Sequence, residues 1–207
     1  MPAVTDYFLT SVSPWTYLGH RLIQEVAARH GATLNVRPVN LGDMFKVSGQ
    51  VSLADRTPVR QRYRMLELQR FADLRGRKVN LRPKHFPTNP ALADHTIIAV
   101  IEGGQSPFDY MDRVFSAVWA DEREIADAAV LADLLAASGL DAKAVQERAN
   151  SAEVAAIRAA NTQAAIDADA TGVPSFVLNG EAFWGQDRID LLDHALKTGR
   201  GPFSSKV

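Results

Sequence analysis

The spacing of apolar positions changes repeatedly along the chain, and each change predicts a different element. Residues 4–10 (VTDYFLT) are short, aromatic and β-branched, which suits a strand. Ser13-Pro14 follows, with serine at the N-cap and proline at the first helical position, a helix start. Trp15, Leu18, Leu22, Ile23 and Val26 then recur at helical spacing until Gly31 supplies a stop. Residues 33–39 alternate and predict a second strand. Between 42 and 57 no period holds, so a loop is expected there. Residues 58–76 predict a helix with an apolar line through Val59, Tyr63, Leu66, the stem of Arg70, and Phe71. Residues 80–90 carry three prolines and predict an extended loop. Helical spacing returns over 90–102, 107–120, 127–138, 141–149 and 151–170, punctuated by Gly103-Gly104, Gly139 and Gly172. SFVL and EAFW then flank Asn179-Gly180, the signal of a two-residue hairpin turn. Gly185-Gln186-Asp187-Arg188 leads into a last helix from Ile189 to Lys197, and the tail GPFSSKV is expected to fray.

The order is βαβ, a long helical block, then ββα. A strand, helix and strand of this length make a right-handed crossover with a parallel pair. The two outer pieces together have the element order of a thioredoxin fold. An α/β thioredoxin-like domain is therefore expected from residues 1–44 and 171–207. Residues 45–170 would form an inserted helical domain packed over its active face.

Composition narrows the chemistry. The chain has 207 residues, 46% hydrophobic and 23% charged, an ordinary globular mix. Lys plus Arg number 23 against 24 Asp plus Glu, a net charge of -1, which supports neither a nucleic-acid partner nor an anionic membrane. Cysteine is absent, which excludes disulfides, thiolate metal sites and catalysis by the protein's own thiol. No apolar run reaches the ~18 residues of a membrane span. The N-terminus lacks a secretion signal's pattern and reads as the first strand of a cytoplasmic protein. The five histidines (20, 30, 85, 95 and 194) show no metal-ligand spacing, so no metal is expected.

Four groups of residues could carry chemistry. Ser13-Pro14-Trp15-Thr16 sits at a strand-to-helix junction, where unpaired N–H groups and the helix dipole favour a thiolate. Ser13 and Thr16 occupy the two positions of a C-x-x-C motif. Redox exchange is closed to them, but a hydroxyl can still donate to a cofactor's thiolate; a plain N-cap explains the same serine. Val173-Pro174 precedes the third strand, where a cis bond would leave the backbone of Val173 free for an extended ligand; trans is the commoner isomer. Trp184-Gly185-Gln186-Asp187-Arg188 opens the last helix, where N–H groups can hold a carboxylate and Asp187 an ammonium, as at a γ-glutamyl end. Ordinary capping beside a surface arginine is the alternative. Ten Arg and Lys residues lie between Arg56 and Lys84, with Lys46 before them. A solvated helix face accounts for most, whereas Lys46, Arg56 and the Lys84-His85-Phe86 loop are placed to face the active end. Trp119 fits core or pocket.

FLTSVSPWTYLGHRL, VFSAVWADE and TGVPSFVLNGEAFWGQDRIDLL resemble the opening, the central helix and the second motif of the 2-hydroxychromene-2-carboxylate isomerases. These are related to kappa-class glutathione transferases, in the DsbA-like branch of the thioredoxin superfamily. The resemblance implies glutathione as cofactor, held by Ser13, Val173, Pro174, Trp184, Gln186, Asp187 and Arg188, with Ser13 catalytic as a thiolate stabiliser. It implies isomerisation of 2-hydroxychromene-2-carboxylate or a related aromatic keto acid by reversible thiolate addition to a conjugated double bond. It places Lys46 and Asp55-Arg56 near the aromatic carboxylate and implies a homodimer; the positions of His85, Phe86 and Trp119 in the chain add them to the expected substrate-binding residues. Asp55-Arg56 stands where the isomerases have Asn-Arg, and PKHFP departs from their pattern. A kappa-type transferase or peroxidase, or a non-catalytic binding protein on the same fold, are the competing readings.

Overall fold

The computed structural model describes residues 2–204. Strand β1 (Val4–Leu9) runs parallel to β2 (Thr33–Pro38), with Tyr7 opposite Val36, and helix α1 (Pro14–His30) makes the crossover. Gly31 ends α1 at φ 61°, a left-handed conformation that costs glycine nothing. Seven helices follow before the chain returns to the sheet: α2 (Leu41–Ser48), α3 (Pro58–Leu74), α4 (Ala91–Glu102), α5 (Phe108–Trp119), α6 (Ala128–Ala137), α7 (Ala142–Ala149) and α8 (Ala152–Asp167). Strands β3 (Ser175–Leu178) and β4 (Glu181–Trp184) form the hairpin, with Asn179 at φ 52° and Gly180 at φ 86°, the signs a type I′ turn requires. A 3₁₀ turn (Gln186–Arg188) opens α9 (Ile189–Thr198). The sheet order is β2-β1-β3-β4, with β3 antiparallel to both neighbours. This is a thioredoxin-like α/β fold with helices inserted between β2 and β3.

The period-two alternation of the strands divides the core between the two faces of the sheet. Tyr7, Leu9, Phe176 and Leu178 join the large cluster with α1, α5 and α9. Phe8 and Val177 point the other way, into a smaller cluster with Met44 of α2 and Ala165 of α8.

Several elements differ from expectation. Residues 41–48 are helical, not loop. Asn40 Oδ1 accepts from Gly42 N at 3.0 Å and Gly49 closes the far end at φ 69°, so two caps define a helix too short to show a period. The last helix of the inserted block stops at Asp167, ahead of Asp169 at φ 55°. In α3 most of the expected apolar line faces away from the core, and of its members Phe71, half-buried, packs against it. Val59, Tyr63 and Leu66 are exposed, and the buried residues are Arg64 and Leu68. Of the tail, 205–207 lie outside the described residues. Residues 200–203 do not fray: Arg200 pairs with Glu181 at 2.7 Å, and Phe203 N donates to the same carboxylate at 3.1 Å.

Candidate active site

Ser13 is nearly buried, at 5% exposure, and its backbone (φ −79°, ψ 121°) is extended. Its Oγ accepts from Thr16 N at 3.2 Å, so the hydroxyl proton remains free to donate elsewhere. The buried hydroxyl of Thr16 has no partner among the described residues. The loop entering Ser13 is fixed from below by wholly buried Asp94, which accepts from Thr10 Oγ1 at 2.9 Å and Ser11 N at 2.8 Å. Arg158 Nη2 donates to the same carboxylate at 2.8 Å. Burial pushes the Asp94 carboxyl up, against the opposing pull of Arg158, Ser11 and Thr10. Helices α4 and α8 thus hold the junction in place.

Beside this junction is a cavity of about 500 Å³. Helix α1 contributes Trp15; α3 contributes Val59, Arg60, Tyr63, Arg64, Glu67 and Phe71, and the loop before it Arg56. The opposite wall is Val173 with the segment Trp184 to Arg188. The Val173-Pro174 bond is cis. Val173 is 6% exposed, and neither its N–H nor its C=O has a hydrogen-bond partner among the described residues. Unpaired backbone of this kind has the donor and acceptor that pairing with an extended strand needs. Gly185 N donates to Pro174 O at 2.8 Å, tying this loop to the turn that carries Gln186. Gln186 is 2% exposed; its Oε1 accepts from Arg75 Nη2 at 3.0 Å, and its buried Nε2 has no partner among the described residues. Asp187 and Arg188 are exposed and paired with each other. A Cβ on Gly19 would lie 2.6 Å from Gln186 Cβ, so this glycine sets how closely α1 and the turn approach.

Charge on the cavity wall is one-sided. Glu67 is engaged by Arg70 at 2.6 Å and Asp187 by Arg188. Arg56, Arg60 and Arg64 have no carboxylate partner among the described residues. Burial, then Arg56, pushes the Arg64 guanidinium down to about 10. Burial, then Arg60, lowers Arg56. All three remain charged at neutral pH.

Of the residues expected at the site, Arg56, Val173, Trp184, Gln186, Asp187 and Arg188 line one cavity, with Pro174 next to Val173. Ser13 does not line it, but Trp15 two residues on does. Lys46 is exposed and held by Asp43 at 2.6 Å, one turn back on α2, and does not line the cavity. Asp55 accepts from Ser52 Oγ at 2.6 Å in the same loop as Arg56 and does not line it. His85 faces Glu124 at 3.6 Å. Phe86 packs on Trp119, ring centroids 4.9 Å apart, with Trp119 fully buried. These two rings reach the cavity only through Arg64, whose guanidinium lies 6.0 Å from one and 5.8 Å from the other. Val59, Arg60, Tyr63, Arg64, Glu67 and Phe71 line the cavity without being announced by the sequence, because they sit in a helix whose charges suggest a solvated face. The clue available was that the apolar line of α3 and its arginines fall on adjoining sides.

The sequence profile of the DSBA-like thioredoxin domain matches residues 4–197. The chain belongs to this family. Within it, the chain is 28% identical over 199 residues to a 2-hydroxychromene-2-carboxylate isomerase of Pseudomonas putida, covering 93% of this chain and 94% of that one. It is 27% identical to the protein of the same name from Sphingobium xenophagum, covering 95% and 99%. A solved structure of a 2-hydroxychromene-2-carboxylate isomerase superposes with a TM-score of 0.82 at 24% identity, over 94% of this chain and 95% of that one. The DsbA-like frame thus occurs in a chain that carries two hydroxyls, Ser13 and Thr16, at this junction and has no cysteine. No helix among the described residues is long and apolar enough to cross a membrane.

Proposed function

We propose that this protein is a glutathione-dependent isomerase acting on 2-hydroxychromene-2-carboxylate or a related aromatic keto acid. One observation carries the reading. Val173 with its unpaired backbone, Gln186, and the Asp187-Arg188 pair line a single cavity beside the Ser13 helix start. Those groups fit glutathione. Val173 offers a donor and an acceptor to its cysteinyl peptide unit. Asp187 offers a carboxylate to the ammonium of its γ-glutamyl end, on a turn that Arg75 holds through Gln186. The chemistry glutathione supplies when bound is a thiolate able to add reversibly to the substrate's conjugated double bond.

The chain's own residues do the rest. Ser13 donates its free hydroxyl proton toward the sulfur, and the N–H groups opening α1 add positive potential there. Trp15, Tyr63 and Phe71 give a flat substrate an apolar wall and keep water off it. The absence of cysteine leaves no thiol pair for disulfide exchange. The proposal takes the protein as a cytoplasmic homodimer, which sedimentation at micromolar concentration would check.

The test is conversion of 2-hydroxychromene-2-carboxylate, followed by absorbance, with and without glutathione. The reading predicts turnover only when glutathione is present. Conjugation of a chlorinated arene without isomerisation would replace it with a kappa-type transferase. Neither activity, with glutathione still bound, would leave a binding protein.

A further inference from the structure

Arg64 is 7% exposed, yet no hydrogen-bond or ion-pair partner reaches it among the described residues. Burying an unpaired guanidinium is costly, so an arginine in that state calls for an explanation. Packing alone is a poor one, since a methionine or leucine would fill the slot without the charge. Among the described residues its support is aromatic: the rings of Phe86 and Trp119. Its nitrogens are not sealed, and the residue lines the large cavity. Arg56 and Arg60 line the same cavity, equally without carboxylate partners, and Arg56 raises the cost of charge on Arg64. The nearest acid in sequence on the same wall, Glu67, is taken by Arg70. Three unneutralised guanidiniums around apolar rings form a cavity short of one anion.

We infer that Arg64, braced on Phe86 and Trp119, is the carboxylate receptor of this cavity, with Arg56 and Arg60 drawing the anion in. The ligand class is a flat aromatic carboxylate. Its acid group meets the guanidinium, which is suited to bidentate pairing, while its ring lies along Trp15, Tyr63 and Phe71. This rests on the isomerase reading for the identity of the natural acid, but not for the receptor itself. It moves the anchoring role from Lys46, which Asp43 already neutralises, to a residue of α3. A carboxylate could also come from the glycine end of glutathione, and the test separates the two.

The test measures, by calorimetry, binding of trans-cinnamate and its neutral isostere cinnamamide, and of glutathione and its glycine amide. It uses wild type, Arg64→Met and Arg64→Lys. In wild type the acid binds better than the amide by about tenfold or more, the scale of a charge-assisted hydrogen bond. In Arg64→Met that ratio falls to near one while the amide binds as before, and Arg64→Lys recovers part of it. A collapse of the cinnamate ratio assigns the receptor to the aromatic acid; a collapse of only the glutathione ratio assigns it to the cofactor's glycine carboxylate and removes the aromatic ligand class. Unchanged ratios in Arg64→Met, or equal loss of acid and amide, overturn the inference. Cinnamate is not isomerised in this assay, so the outcome is independent of turnover. A protein that isomerises nothing but loses cinnamate selectivity in Arg64→Met refutes the function and keeps the receptor, and the opposite result does the reverse.

Discussion

Arg64 and Arg77 are the arginines of the described residues buried beyond nine-tenths, at 7% and 8% exposure, and their surroundings are opposite. Arg77 donates to Asp112 at 2.6 Å and to Ser116 Oγ at 3.3 Å, and lies over the Tyr17 ring at 3.9 Å. Burial alone would raise the Asp112 carboxyl, but Arg21 and Arg77 outweigh it and hold it below the usual carboxylate range. Arg64 has the aromatic shelf and no acid. The first arginine is complete within the chain and joins α1 and α5 to the loop after α3. The second would be completed by the anion inferred above. The same side chain, equally buried, thus marks scaffold in one place and a binding wall in the other, and the partner list is what separates them.

The largest expected effect breaks the complete side. Arg77→Met leaves Asp112 with Arg21 alone and should cost about 3 kcal/mol, the low end for breaking a buried pair, in urea unfolding. Asp112 is depressed in the folded state, so its contribution is present above the ordinary carboxylate range near pH ~4 and fades as pH falls through its lower folded value. The gap between wild type and Arg77→Met should therefore narrow below pH ~4; a constant gap would mean the loss is packing. Gly19→Ala should cost about 2 kcal/mol by overpacking, because its methyl would stand 2.6 Å from Gln186 Cβ. It should also weaken glutathione binding by displacing that turn, and wild-type affinity in this variant would detach Gln186 from the site. Arg64→Met should go the other way: removing an unpaired buried charge offsets the lost cation–π contact, so Tm holds or rises by about 2–4 °C per kcal/mol gained. A Tm drop as large as that of Arg77→Met would put both arginines in the scaffold. Lys46→Met, which removes only an exposed pair, should change stability by less than about 0.5 kcal/mol.

The terminal motifs were legible because local chemistry dictates them. Ser13-Pro14 must start a helix, Asn179-Gly180 must turn a hairpin, and their order gives the thioredoxin frame whatever lies between. The cavity's second wall was harder to read. In α3, Tyr63 and Phe71 follow a helical line whose usual destination is the core, and Arg64 sits on the side usually given to water. The structure turns Tyr63 outward and buries Arg64, because Phe86 and Trp119 meet the guanidinium, at separations of 22 and 55 residues that no local pattern connects. Lys46 misled for the matching reason: its neutralising partner, Asp43, matters only once residues 41–48 coil into a helix.

The central claim is that the Ser13 junction holds a glutathione thiolate, and thiolate absorbance of the glutathione complex titrated against pH tests it most directly. Ser13→Ala should cost only about 1 kcal/mol of stability as a lost cap. A charge-assisted hydrogen bond from its hydroxyl is worth about 1.5–3 kcal/mol. At about 1.36 kcal/mol per unit, its loss should raise the bound thiol's pKa by about one to two units and lower turnover in step. Identical thiolate titrations in wild type and Ser13→Ala would contradict the account, and would leave Ser13 as a helix cap.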